Sequence, residues 1–172
     1  VASSFPSSPQ SGGHVIEMSA PGLVSELAVD PRRLRDEVRR KYREVAQDPT
    51  AGYHFNTGRP LARALGYPEE LIEQIPVPAV ESFAGVANPL MAGHIEPGAR
   101  VVDIGSGGGF DTFGASLLTG PTGRVVGVDM TAEMLERAEG AARRARIGPV
   151  EFRLGIAEEL PVEDGWADVV IS

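Results

Sequence analysis

The sequence predicts an α/β fold built on a doubly wound parallel sheet, and three observations carry the prediction. Short apolar runs, RVVDI from Arg100, RVVGV from Arg124 and ADVVIS from Ala167, alternate with helical patterns, as strands buried on both faces do. The run RVVDIGSGGGF, Arg100 to Phe110, carries an acid out of a strand into glycines and then into a helix. The second run ends in another acid, Asp129. Strands joined by helices imply right-handed crossovers, with ligand at the carboxyl ends of the strands.

The elements follow in chain order. Residues 1–22 are rich in Ser, Gly and Pro without periodicity and are read as a flexible tail. Pro31 opens a helix with Leu34, Val38 and Tyr42 on one face and Val45 adjoining. Seven of the sixteen basic residues fall there (Arg32, Arg33, Arg35, Arg39, Arg40, Lys41 and Arg43), and a solvated face with pairs such as Glu37 to Lys41 accounts for them. Gly52 to Gly66 mixes a polar aromatic turn with a short helix. Pro68 begins the helix PEELIEQI, closed before Pro76, and Asn88-Pro89 starts another that runs to Gly93. Residues 23–96 therefore read as a helical lid over the mouth of the site, and Pro97-Gly98 as the turn into a sheet domain, 97–172.

Within that domain the pattern predicts a strand at 100–105, a helix near 109–119, the turn Gly120 to Gly123 and a strand at 124–129. Thr131 is placed to cap a helix that buries Met134 and Leu135 and runs to about Arg146. Strands follow at Val150–Leu154 and Ala167–Ser172. So apolar a fourth strand should lie inside a sheet, beside a neighbour that the sequence does not contain. The expectation is a fold truncated after the fourth strand, or self-association through the fourth-strand edge.

Composition narrows the function. At 172 residues, 42% hydrophobic and 23% charged, the chain is long enough to bury a core, and no apolar run has the length of a membrane span. A net charge of -8 argues against a nucleic-acid surface and favours a cationic ligand. With no cysteine the sequence contains no disulfide, thiolate nucleophile or cysteine metal site, and His14, His54 and His94 lack metal-ligand spacing. No secretory signal pattern is visible, and a cytoplasmic protein without membrane, nucleic acid or metal is expected.

The glycine run is chemically informative. A dinucleotide fingerprint would place its third glycine at position 110, where Phe110 stands, and the spacing here is D-x-G-x-G-x-G. Asp103, two residues before Gly105, would repel a pyrophosphate but suits a positively charged ligand without phosphate. S-adenosylmethionine, with an α-amino group and a sulfonium, is such a ligand. Asp129 follows Gly105 by 24 residues, near the interval at which an acid accepts from ribose hydroxyls, and Met130 offers a polarizable side chain to adenine. The plainer alternative is that Asp103 and Asp129 only cap the helices that follow, and their bracketing of a triple-glycine turn weighs against it.

On these residues the chain resembles the class I S-adenosylmethionine-dependent methyltransferases. AVESFAGVANPL, PGARVVDIGSGGGFD, GRVVGVDMTAEML, VEFRLG and LPVEDGWADVVIS are similar to phrases of the arsenite methyltransferase family and, more distantly, of quinone C-methyltransferases, over roughly residues 53–172. The resemblance implies a Rossmann-like sheet and a loop of Asp103, Gly105, Ser106, Gly107 and Gly109 around the methionine part of the cofactor. It implies Asp129 on the ribose, Met130 on the adenine, and Gly155, Ile156, Ala157 and Glu158 edging the adenine through backbone amides. Relatives place an acid where Ile156 stands, and Glu158 is the available substitute. The family holds trivalent arsenic with cysteine thiolates, one of them in the phrase before Asn-Pro, where this chain has Val86. A soft metalloid needs soft ligands, so a small organic methyl acceptor is expected in place of arsenite.

Methyl transfer from a sulfonium is an in-line displacement governed by positioning, so no catalytic base is obligatory and none is assigned. Tyr53, His54 and Thr57 are polar groups near the mouth that serve equally well as turn residues. Two other readings are arsenite methylation proper and a cofactor-binding module without catalysis. A nicotinamide oxidoreductase fits poorly with Phe110 and with the positions of the acids.

Overall fold

The structure, a computed structural model, describes residues 30, 33–34, 36–40, 57–145 and 147–172. Residues 33–34 and 36–40 are helical, as expected of the segment after Pro31, with Arg39 and Asp36 paired at 3.8 Å. The tail at 1–22, Tyr53, His54 and the Glu37 to Lys41 pairing lie outside the described residues.

Between residues 57 and 99 three short helices precede the sheet: α1 (Gly58–Ala64), α2 (Glu69–Ile72) and α3 (Val77–Glu81). Pro68 and Pro76 flank α2, and both are extended at ψ 139° and 133°, which holds it to little more than one turn of the expected PEELIEQI helix. Pro89–Met91 forms a single 3-10 turn where a helix to Gly93 was expected. The sheet region then runs β1 (Arg100–Ile104), α4 (Phe110–Thr119), β2 (Arg124–Asp129), α5 (Ala132–Ala145), β3 (Val150–Leu154) and β4 (Val169–Ile171). Glu133 opens α5 while Arg143 and Arg144 close it, the charge order that the helix dipole favours.

All four strands are parallel, in the order β3-β2-β1-β4. The chain therefore steps outward from β1 to β3 and returns to the far side of β1, a reversal that leaves a crevice at the carboxyl ends. Side chains alternate across β1. Val101 joins Val125, Phe113, Ala141 and the front-helix residues Ile72 and Ala79 in one core, whereas Val102 packs with Val126, Val128, Leu160, Val162 and Trp166 on the other face. Burying each such side chain contributes about 1.5–3 kcal/mol. Helices thus cover the first face, and among the described residues the second is covered by the segment between β3 and β4 rather than by a helix.

The front helices share the core of the sheet and are tied to it by polar contacts as well. Arg137 of α5 donates from Nε to the Pro78 carbonyl at 3.0 Å and pairs with Glu81 at 3.5 Å. β4 is three residues long instead of six, and Asp168 just before it is a latch: its amide donates to the Arg100 carbonyl at 2.8 Å, and its carboxylate accepts the Arg100 amide and guanidinium at 2.8 to 3.1 Å.

Candidate functional site

At the carboxyl ends of β1, β2 and β3 the chain turns away from the sheet and leaves a cleft of about 320 Å³. One wall is the loop after β1. Gly105 and Gly107 have φ of +79° and +50°, a region that L side chains rarely adopt, and both face the cleft. A Cβ on Gly105 would meet nothing within 4 Å, and one on Gly107 only Met134 Cε at 3.8 Å, so the space that side chains would fill is open to a ligand. The amides of Gly105 and Ser106 donate to the Val128 carbonyl at 2.8 and 3.0 Å, which pins this loop to the end of β2.

Asp129, Met130 and Thr131 continue the lining from β2, and Gly155, Ile156, Ala157 and Glu158 from β3. Asp129 is already engaged: Oδ2 accepts the Gly107 amide and Oδ1 the Thr131 amide, each at 2.8 Å. A carboxylate has about four acceptor positions, so two remain. Ser106 and Thr131, 8% and 1% exposed, each carry a buried hydroxyl with no hydrogen-bond partner. Thr131 was expected to cap α5, but its hydroxyl makes no such bond. An unpaired buried hydroxyl in a cleft wall costs free energy unless a ligand meets it.

Seven of the expected site residues therefore lie together: Gly105, Ser106, Gly107, Asp129, Met130, Ile156 and Ala157. Two do not line the cleft. Asp103, 3% exposed, points from β1 toward α4, and its Oδ2 accepts the Thr112 hydroxyl at 2.6 Å. Gly127 sits opposite it in register and leaves the room, since a Cβ there would approach Thr112 Oγ1 and Phe152 to 2.8 Å. Gly109 sits at the start of α4, where a Cβ would come within 2.9 Å of Phe113 and Phe152, so this glycine serves packing. Phe110, at the fingerprint's third-glycine position, is buried against Phe83 with ring centroids 4.1 Å apart.

The front region completes the cleft with Ala79, Ser82, Phe83, Ala84 and Gly85. Sequence reasoning missed a pair here. Tyr67 donates its hydroxyl to Asp111 Oδ1 at 2.5 Å and to the Ala87 carbonyl at 3.2 Å, and its ring meets Phe83 and Phe110 edge-on at 5.5 and 4.9 Å. Asp111 lines the cleft from the first turn of α4. The acid in GGGFD was a local signal for it, whereas Tyr67 is 44 residues away and had none.

Electrostatically the site is built for positive charge. Burial pushes the Asp103 carboxyl up to about 7, helped by the nearby Asp111 and against the pull of Thr112, and burial pushes Asp111 up to about 6 against the Tyr67 hydrogen bond. Burial and Asp111 likewise raise the Tyr67 hydroxyl, which stays protonated as a donor. Among the described residues no group of three or more His, Cys, Asp or Glu is arranged to hold a metal ion. No described helix is long and apolar enough to cross a membrane.

A family described as a methyltransferase domain matches residues 95–172. That match takes in the whole sheet region, from just before β1 to the end of β4. Over 157 residues the chain is 34% identical to an arsenite methyltransferase of Halobacterium salinarum, an alignment that covers 83% of this chain and 40% of that protein. It is 38% identical over 73 residues to a demethylmenaquinone methyltransferase of Lactococcus lactis, covering 42% of this chain and 29% of the relative. The chain thus spans less than half the length of these curated relatives. The crystal structure of a SAM dependent methyltransferase from Aquifex aeolicus superimposes over 77% of this chain and 54% of that one, with a TM-score of 0.50 and 19% identity, a likeness of fold. The region that the family matches has a parallel sheet of this fold, with its cleft at the point where the strand order reverses.

Proposed function

We propose that the chain is an S-adenosylmethionine-dependent methyltransferase acting on a small organic acceptor. The observation that carries this reading is a glycine cradle open to a cleft whose titratable lining is acidic at Asp111 and Asp129, with Asp103 directly behind. The cradle, the two unpartnered hydroxyls of Ser106 and Thr131 and the acids fit a ligand that is cationic at one end and rich in hydroxyls at the other. Bound there, S-adenosylmethionine supplies an electrophilic methyl group on a positively charged sulfur.

The chain's own residues do the positioning. Gly105 to Gly107 line the path of the amino-acid tail, and the free acceptor capacity of Asp129 takes ribose hydroxyls. Met130, Ile156 and Ala157 border the adenine. Asp103 acts from beneath the loop through its charge and through Thr112. Of the lid expected at 23–96, the described segment 57–96 contributes Ala79, Phe83 and Ala84, an apolar border that excludes water from the displacement. No side chain is assigned as catalytic.

For the acceptor, Val86 stands 93% exposed where the arsenite family has a cysteine, which favours an organic nucleophile over arsenite. Calorimetric titration with S-adenosylhomocysteine and with NAD tests the cofactor, and binding of the first alone is expected. Transfer of labelled methyl from S-adenosylmethionine to organic thiols, phenols and quinols, with arsenite left unmethylated, is the expected result for the acceptor. Tight binding without transfer to any acceptor would favour the non-catalytic module.

A further inference from the structure

We propose that Asp111, oriented by the Tyr67 hydroxyl, is the acid that receives the α-ammonium group of the cofactor, in the place that the spacing of the glycine loop gives to Asp103. The inference rests on the cofactor reading above and adds a specificity residue to it.

The two acids are eight residues apart and differently placed. Asp103 leaves β1 on the α4 side, is 3% exposed, and spends Oδ2 on the Thr112 hydroxyl without lining the cleft. A ligand would have to pass the loop backbone to reach it. Asp111 lies in the lining, and its Oδ1 takes the Tyr67 hydroxyl at 2.5 Å. Among the described residues Oδ2 has no hydrogen bond to the protein, and the carboxylate has no ion pair. It shares the cleft wall with Phe83, Phe110 and the glycine loop and is largely buried, where a carboxylate without a cation is costly. A ligand ammonium relieves that cost, and the raised proton affinity of Asp111 reports the same unmet demand for a positive neighbour.

Asp129, the other acid of the lining, is less suited. Both its oxygens already hold backbone amides, and it stands at the end of β2. Tyr67 acts on the ligand only through Asp111. Edge contacts with Phe83 and Phe110 hold its ring, so its hydroxyl selects one carboxylate rotamer and leaves Oδ2 for the ligand.

The test is calorimetry on the 172-residue chain with S-adenosylhomocysteine and with its deaminated analogue, which lacks only the amino group. Asp111→Asn keeps the Tyr67 hydrogen bond and is expected to weaken S-adenosylhomocysteine by about tenfold or more, the range for a hydrogen bond to a charged group, while leaving the analogue unchanged. Tyr67→Phe is expected to give a smaller loss, again for the amino-bearing ligand alone. Equal affinities in wild type and Asp111→Asn, or an equal loss for both ligands, would overturn the assignment. If Asp111→Asn does not fold, the wild-type protein decides: equal affinity for the two ligands overturns it. A wild-type protein that binds neither ligand overturns the cofactor reading itself, an outcome distinct from the others.

Discussion

Asp129 Oδ2 accepts the backbone N–H of Gly107 at 2.8 Å, so the acid that ends β2 holds the crest of the loop that follows β1. Its other oxygen holds the Thr131 amide at the start of α5. One side chain thus shapes two walls of the cleft. Asp129→Ala should remove both bonds and weaken S-adenosylmethionine by about 1.5–3 kcal/mol. Calorimetry together with a melting curve checks this, and unchanged affinity in the folded variant would take Asp129 out of the site. Asp129→Asn keeps one acceptor oxygen and should fall between.

Neighbouring glycines should respond differently. Gly107→Val places a β-branched side chain at φ +50° in open cleft space, so binding should be lost while the core persists. Gly108→Ala drives a Cβ to 2.1 Å from Ser82 Oγ on the front helical segment, which must shift. Its first effect should be a lower melting temperature. Normal binding by a folded Gly107→Val would show that the ligand does not cross this loop.

Stability should fall as the pH rises from about 4 to 7. Asp103 and Asp111 have folded-state pKa values of about 7 and 6, both above the ordinary 3.8. Such groups contribute fully below the unfolded value, and the contribution is lost as pH passes the folded value. At 1.36 kcal/mol per unit, Asp103 accounts for at most about 4 kcal/mol. Asp103→Asn, whose amide oxygen still accepts from Thr112, should flatten the profile, read by denaturant unfolding at pH 5 and pH 8.

The same acids should release protons when a cationic cofactor binds near pH 6.5, because the ligand favours their ionised forms. Binding heats measured in buffers of different ionisation enthalpy check this. Heats independent of the buffer would mean that neither acid senses the ligand.

Arg100 and Asp168 join β1 to the approach to β4, and the guanidinium holds the Asp168 carboxyl down at about 2. Asp168→Ala should raise amide exchange across Val169–Ile171 and leave cofactor affinity unchanged.

The strand residues were legible from local pattern because period and turn chemistry are local properties. Arg124–Asp129 and Val150–Leu154 form as expected, and α4 and β1 differ from expectation by one residue at one end. Local pattern also singled out the glycine loop and the acid that ends β2. Packing decided the rest. The alternation of β1, with Gly127 leaving room beside it, sends Asp103 beneath the loop to Thr112, and the Thr131 hydroxyl expected to cap α5 is left unpaired among the described residues. Asp168 latches the approach to β4 onto Arg100, 68 residues earlier, a pairing that no local pattern shows. Tyr67 meets Asp111 only because the front helices share a core with the sheet. Spacing along the chain determined which residues could form a strand, a turn or a loop for a cation, since those depend on neighbours in sequence. Which acid faces the ligand depends on contacts between residues far apart in the chain, and only the tertiary structure makes those contacts.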